Sequence, residues 1–293
     1  MKIVLIALEQ TYNFIVPLLE ADGHEVRLLM KCGKLPLLYA TPRCTTYVLE
    51  QIAEFQPNLV VNAIPSIFLP ASSDYTYIGN SALSARLETH KWETRKKAEE
   101  LGFLLPTVLE ECNMDTMSSY SEVTYLKPKG SDTHSSSFQI PANTTYSFPS
   151  GLPAYVEESL PHALVACCRF TISGGAYHIN RTTGWTGGGN SKGMNAGADW
   201  TGFGAGVEIP STIEAEFLAK CRTWLDYAVT LGGSYEGFLE VAITAANEFY
   251  WLEHNSRPST YQVAFKSGTV QDWLDGLTTD PTKSPPTRYK IET

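Results

Sequence analysis

The chain has 293 residues, 43% of them hydrophobic and 18% charged. That balance supplies cores for one to three packed domains and excludes a disordered polymer. A net charge of −9, with a sequence pI of about 5.2, excludes the broad basic surface that holds nucleic acid.

Residues 1–8 are apolar but too short for a signal h-region or a membrane span, and Glu9 follows them. No membrane partner is expected, and the location expected is cytoplasmic. Residues 2–8 read as a buried parallel strand. A helix over 12–21 follows, stopped by Gly23, then a strand over 25–30. A second helix spans 45–55, starting near Thr45 or Thr46, and a third strand covers 58–64 before Pro65. This βαβαβ order predicts a small parallel sheet. Ligands of such sheets sit beyond the carboxyl ends of the strands, which brings Glu9, Gln10, Thr11 and the Pro65–Ser66 loop near a substrate site. No glycine-rich phosphate loop follows the first strand.

Further along, 91–101 is an amphipathic helix, and the strand 123–127 closes on Lys127 before Pro128. The small polar residues 128–137 form either a flexible loop with phosphate-binding hydroxyls or an ordinary surface turn. His134 within them is read as solvated. Residues 163–172 read as a core strand, with Arg169 facing either a substrate cleft or water. The glycines of 180–206 exclude a stable helix, so this long loop is functional or disordered. A helix over 211–231 is predicted, with Ser211 and Glu214 in a capping-box pattern. Ile213, Phe217, Cys221, Trp224 and Ala228 line its core face. The tail 278–293, with Pro281, Pro285 and Pro286, reads as extended. The six cysteines form no CxxC, which favours reduced thiols over zinc ligands.

The stretch 235–258 reads as a β-hairpin. With its turn centred on Ala246 and Asn247, Glu240 and Glu253 stand opposite each other, and Asn255 falls on the same face. Two carboxylates about 4 Å apart repel by roughly 1–4 kcal/mol, and a bound cation removes that conflict. Hard oxygen ligands of this kind suit Mg²⁺. The alternative is a hairpin whose glutamates face water.

Glu240 followed by Glu253-His254-Asn255-Ser256-Arg257 resembles the metal-binding end of the ATP-grasp superfamily. Residues 78–91, with Ala85-Arg86-Leu87-Glu88, are similar to the segment that opens the ATP-grasp domain of phosphoribosylamine–glycine ligases. Gly102 to Thr107 resembles their strand entry, and Tyr155 to Leu160 resembles the hinge that holds adenine. The resemblance covers most of residues 78–258.

It implies an α/β (α+β) architecture: an ATP-grasp fold preceded by the parallel-sheet domain. The expected boundaries are 1–77, then 78–160 with phosphate lysines, lid and hinge, then 161–293 with the metal site. It implies Lys91 and Lys127 as phosphate contacts, with Glu157 and Leu160 at the adenine hinge. Lys129 is read as a solvated neighbour of Lys127. Without the resemblance, Lys91 would read as one solvated charge beside Arg95, Lys96 and Lys97. It implies Glu240, Glu253 and Asn255 as ligands of Mg²⁺ (or Mn²⁺), and Arg257 as the catalytic group stabilising transferred charge. The second ribose-binding glutamate of relatives is missing near Pro161-His162-Ala163-Leu164. The absent glycine loop, and a shorter stretch after Arg257 than in glycine ligases, imply that phosphoribosylamine is not the substrate. The activity implied is an ATP-dependent carboxylate–amine ligase working through an acyl phosphate, with a small amino acid among its substrates. The alternatives are an ATP-grasp kinase, a ligase with a nucleoside- or nucleobase-linked acceptor, or a non-catalytic nucleotide-binding protein.

Overall fold

A computed structural model describes residues 1–7, 12–13, 15–33, 35–36, 42–70, 72–113, 119–130, 138–144, 153–160, 164–186, 209–257, 263–265, 270–278 and 288–290. For 35–36, 42, 181–186, 263–265 and 288–290 only the backbone is described. Glu9, Gln10, Thr11, His134, most of the 128–137 loop, 161–163 and 187–208 lie outside the described residues, as does much of the tail.

The chain opens with β1 (Lys2–Ile6), α1 (Val16–Ala21) and β2 (Glu25–Leu29), followed by a short β3 (Lys31–Cys32) and β4 (Leu35–Pro36). Then come α2 (Pro42–Phe55), β5 (Leu59–Asn62) and β6 (Thr76–Asn80). β2, β1, β5 and β6 lie side by side, all parallel. Ile3 and Leu5 pack on one face with Leu19, while Val4 and Ile6 pack on the other against Val48, Ile52 and Phe55 of α2. Cover on both faces is why β1 is apolar without alternation. Two helix starts differ from the sequence reading. α1 begins at Val16 rather than at residue 12, with Pro17 in its first turn. α2 begins at Pro42, ahead of the hydroxyl residues Thr45 and Thr46. Proline has no amide hydrogen to lose and a preset φ, so it suits a first turn.

Next come α3 (Ala82–Thr89) and α4 (Lys91–Glu100), then β7 (Val108–Asn113), β8 (Thr124–Pro128), β9 (Phe138–Ile140) and β10 (Pro153–Glu158). The four strands form an antiparallel sheet in the order β7-β10-β8-β9. Leu126, Ile140, Ala154 and Val156 make its apolar face.

The last part holds β11 (Leu164–Ser173), β12 (Ala176–Thr186), α5 (Ser211–Val229), β13 (Gly233–Ile243) and β14 (Phe249–Asn255). It ends with β15 (Val263–Phe265), α6 (Val270–Thr278) and β16 (Arg288–Lys290). β13 joins the parallel sheet through Gly233↔Asn80 and Ser234↔Gly79, giving the order β12-β11-β13-β6-β5-β1-β2, with β14 on β13. Gly233 permits this junction. Its φ is +95°, and a Cβ there would lie 2.8 Å from the Ser81 amide nitrogen. α6 returns to the parallel sheet, where Val270, Trp273, Leu274 and Leu277 join Ile3 and Leu5.

The core face expected for α5 is buried: Ile213, Phe217, Cys221, Trp224 and Ala228 pack against β11 and β13. The capping box is not formed. Pro210 is the N-cap and makes no side-chain bond, so Ser211 is already inside the helix. All six cysteines are free thiols. No described helix is long and apolar enough to cross a membrane.

Candidate functional site

The β13–β14 hairpin sets the centre of the site. Glu240 pairs with Glu253 and Phe238 with Asn255, with a register shift after Glu240. The turn is closed by Asn247 N–H donating to Thr244 O at 2.9 Å, with Asn247 in the left-handed region at φ 60°. Glu240 is 1% exposed and Glu253 4%. Burying two carboxylates face to face is costly unless cations or donors meet them.

Those groups come from α4 and from the end of β14, which α3 and β6 hold in place. Lys91, at the start of α4, places Nζ 2.6 Å from Glu253 Oε2. Asn255 Nδ2 donates to Glu253 Oε1 at 3.1 Å, and Arg257 Nη2 donates to Asn255 Oδ1 at 3.2 Å. Arg257 Nε donates to Glu88 Oε1 at 2.7 Å, and the Ser256 amide donates to Glu88 Oε2 at 2.9 Å. Asn80 Nδ2 donates to Ser256 O at 2.7 Å, tying the end of β14 to β6. Gly237 lets that end approach, since a Cβ there would lie 2.5 Å from Asn255 O. One network therefore gathers Lys91, Glu253, Asn255 and Arg257, with Glu240 opposite Glu253.

His254 points the other way. Its Nδ1 accepts from Trp224 Nε1 at 3.0 Å, and its ring lies 5.4 Å from that of Phe170. Burial pushes its pKa down to about 3, against a smaller upward pull from Glu253. It is a neutral core residue, not a ligand.

A second network sits on the neighbouring sheet. Tyr155 pairs with Lys127 and Glu157 with Tyr125, so these four side chains share the face opposite the apolar one. Lys127, 2% exposed, is ion-paired with Glu157, whose other oxygen lies 3.0 Å from Arg95 Nη1. The Glu157 side chain is thus committed to two cations. Burial, then the charge of Glu157, pushes the Tyr125 phenol up to about 12. Lys129 leaves this cluster for half-exposed Glu111 and the ring of Trp92. Leu160 lies elsewhere, in an apolar patch with Val165, Ala242 and Leu252. Between the networks is a small cleft bounded by Leu87, Lys91, Arg95, Tyr155, Leu252 and Glu253.

Three residues of these networks carried no role in the sequence reading. Arg95, taken as one of the solvated charges of its helix, is buried against Glu157. Its i+4 spacing from Lys91 puts both on one side of α4, a signal that was available. Glu88 lies on the buried side of α3 with Ala85 and Thr89, at helical spacing. Asn80 had no sequence signal, because its partner is far along the chain.

The donors fit a hard divalent cation. Two carboxylates and an amide oxygen suit Mg²⁺, which takes few protein ligands and completes its shell with water and phosphate. Among the described residues no three His, Cys, Asp or Glu side chains group as a metal cluster, so a zinc-type cage is not what this hairpin offers.

No family model and no curated protein sequence matches the chain. Solved structures do. An L-amino acid ligase from Bacillus licheniformis superposes with a TM-score of 0.60 at 13% identity, over 94% of this chain and 73% of that one. An ADP complex of N5-carboxyaminoimidazole ribonucleotide synthetase gives 0.60 at 12%, over 99% and 78%. A D-alanine–D-alanine ligase from Bacillus anthracis, complexed with ATP, gives 0.52 at 12%, over 87% and 85%. At these identities the likeness establishes a shared fold.

Proposed function

From the ATP-grasp fold that the chain shares with these structures, we propose that it is an ATP-dependent ligase that joins a carboxylate to an amine. The observation that carries this reading is the buried pair Glu240–Glu253, directly opposed on β13 and β14, with Asn255 beside it and Lys91 on Glu253. Such a pair has no structural advantage over apolar residues of similar volume, whereas a cation site requires it.

In this reading Glu240, Glu253 and Asn255 hold Mg²⁺ (or Mn²⁺), which supplies charge neutralisation on the nucleotide phosphates. Lys127 and Lys91 contact phosphate oxygens, as compact cations do. Lys91, paired with Glu253, would reach a phosphate from beside the metal-holding carboxylate. The hinge backbone at Glu157 and the apolar patch around Leu160 receive the adenine. The Glu157 side chain sets the position of Lys127. Arg257, steadied by Glu88, stabilises charge on the group being transferred. The carboxylate oxygen attacks the terminal phosphorus, ADP leaves, and the amine displaces phosphate from the acyl phosphate. Positioning and charge stabilisation suffice for such transfer. The substrates are small molecules, with a small amino acid as one of them. Residues 1–77, 78–160 and 161–293 remain the units we assign, with α6 returning to the first.

The test is a matrix of amino acids and amines scored by ADP formation and product mass. Mg-dependent ADP release that needs both a carboxylate and an amine supports the ligase. Release with an acceptor alone, giving a stable phosphorylated product, replaces it with a kinase. ATP binding without turnover across the matrix replaces it with a nucleotide-binding protein.

A further inference from the structure

The face of the central sheet that holds Glu240 and Glu253 also carries an arginine, Arg169. β11 pairs with β13 so that Cys167 stands opposite Glu240, Arg169 opposite Phe238 and Thr171 opposite Glu236. Alternation puts these residues on the face of Glu253 and Asn255. The other face, with Cys168, Phe170, Ile172, Leu239 and Val241, is the core beneath α5. Arg169 therefore lies on the sheet face of Glu240 and Glu253. Its backbone is two strands from Asn255, roughly 10 Å at about 4.8 Å per strand.

Arg169 is partly buried, and its Nε is fully buried without a hydrogen-bond partner. It forms no ion pair with a described residue. Its polar neighbour is the Cys167 thiol, a weak acceptor. A guanidinium half withdrawn from water and left unpaired costs stability, and a planar oxyanion is the group it fits best.

We propose that Arg169 is an anion-recognition residue of this sheet face, binding a carboxylate or phosphate group of a ligand; this rests on the ligase reading for the ligand's identity but not for the anion's binding. The oxyanion has two sources, the acid substrate or a nucleotide phosphate.

Wild type, Arg169→Met and Arg169→Lys are compared by thermal unfolding and calorimetry, using succinate and inorganic phosphate as probes. Without anion, Arg169→Met is expected to melt higher than wild type, because it removes an unpaired charge at similar volume. At least one probe should stabilise wild type, and its affinity should fall at least about tenfold in Arg169→Met, the loss for one charge-assisted hydrogen bond. Arg169→Lys, which keeps the charge, should retain part of the binding. Repeating the titrations with saturating Mg-ADP separates the sources: binding that persists assigns Arg169 to the acid substrate, and binding that is lost assigns it to a nucleotide phosphate. The proposal is overturned if neither anion binds wild type, if Arg169→Met binds as wild type does, or if Arg169→Met melts several degrees lower without anion. Failure of Mg-ADP itself to bind would instead count against the ligase reading and leave the anion measurement standing.

Discussion

Glu88 and Arg257 are joined by a hydrogen bond of 2.7 Å from Arg257 Nε to Glu88 Oε1. Both side chains are close to fully buried, and the same carboxylate holds the Ser256 amide. α3 thereby fixes the segment that follows the β13–β14 hairpin. Glu88→Gln keeps the shape and removes the charge opposite a buried guanidinium. A loss of about 3 kcal/mol is expected for breaking such a pair. Turnover should fall with it, because Arg257 loses its anchor. Thermal unfolding and steady-state rates check this; wild-type values for both would show that Arg257 is positioned by other contacts.

Glu253→Gln should lower Mg-ATP turnover by orders of magnitude. It removes a ligand charge and also the partner of Lys91, while the amide keeps the volume. The fold should persist, since a buried like-charge pair is relieved. Turnover within about twofold of wild type would take Glu253 out of the metal site.

The two neighbouring lysines should separate cleanly. Lys127→Ala removes one of the two cations that meet buried Glu157 and leaves it on Arg95, at a cost of about 3–5 kcal/mol, and should abolish tight nucleotide binding. Lys129→Ala removes a half-exposed pair worth about 0–1 kcal/mol. Calorimetry with a non-hydrolysable ATP analogue reads the order. A larger affinity loss in Lys129→Ala would reverse the assignment of the phosphate lysine.

His254 should make the fold acid-sensitive. Its folded pKa is about 3 against an ordinary value of 6.5. The unfolded chain therefore takes up the proton first as pH falls. The stability tied to neutral His254 is complete above about pH 6.5 and is lost between there and about pH 3. At about 1.4 kcal/mol per pH unit, roughly 2 kcal/mol disappears between about pH 7.5 and pH 5. His254→Gln should be less stable at neutral pH, having lost packing around Trp224, yet show a flatter decline across that interval. Parallel stability curves for the two proteins would rule the histidine out as the source.

The parallel sheet was legible in the sequence because strands buried on both faces are written as unbroken apolar runs, as in Ile3 to Ile6. The hairpin was legible for a related reason. Pairing is local there, so a turn near Ala246 and Asn247 is enough to oppose Glu240 and Glu253. The α5 core face followed from its spacing, but its capping box did not form, because Pro210 entered the helix start first. Hydroxyl caps were overvalued at α2 for the same reason.

The sequence by itself determined the parallel sheet, the core face of α5 and the opposed carboxylates, since these depend on side-chain period and short-range pairing, but it read 180–206 as a loop where β12 continues to Thr186. Only the tertiary structure decided which charges meet. Glu88 reaches Arg257, Lys91 reaches Glu253 and Asn80 reaches Ser256 across more than 160 residues of chain. Arg95 looked solvated on its helix until the antiparallel sheet brought Glu157 against it. A charge's partner depends on which surfaces are buried together, and local pattern carries no record of that; burial then turns a weak surface attraction into a defined contact.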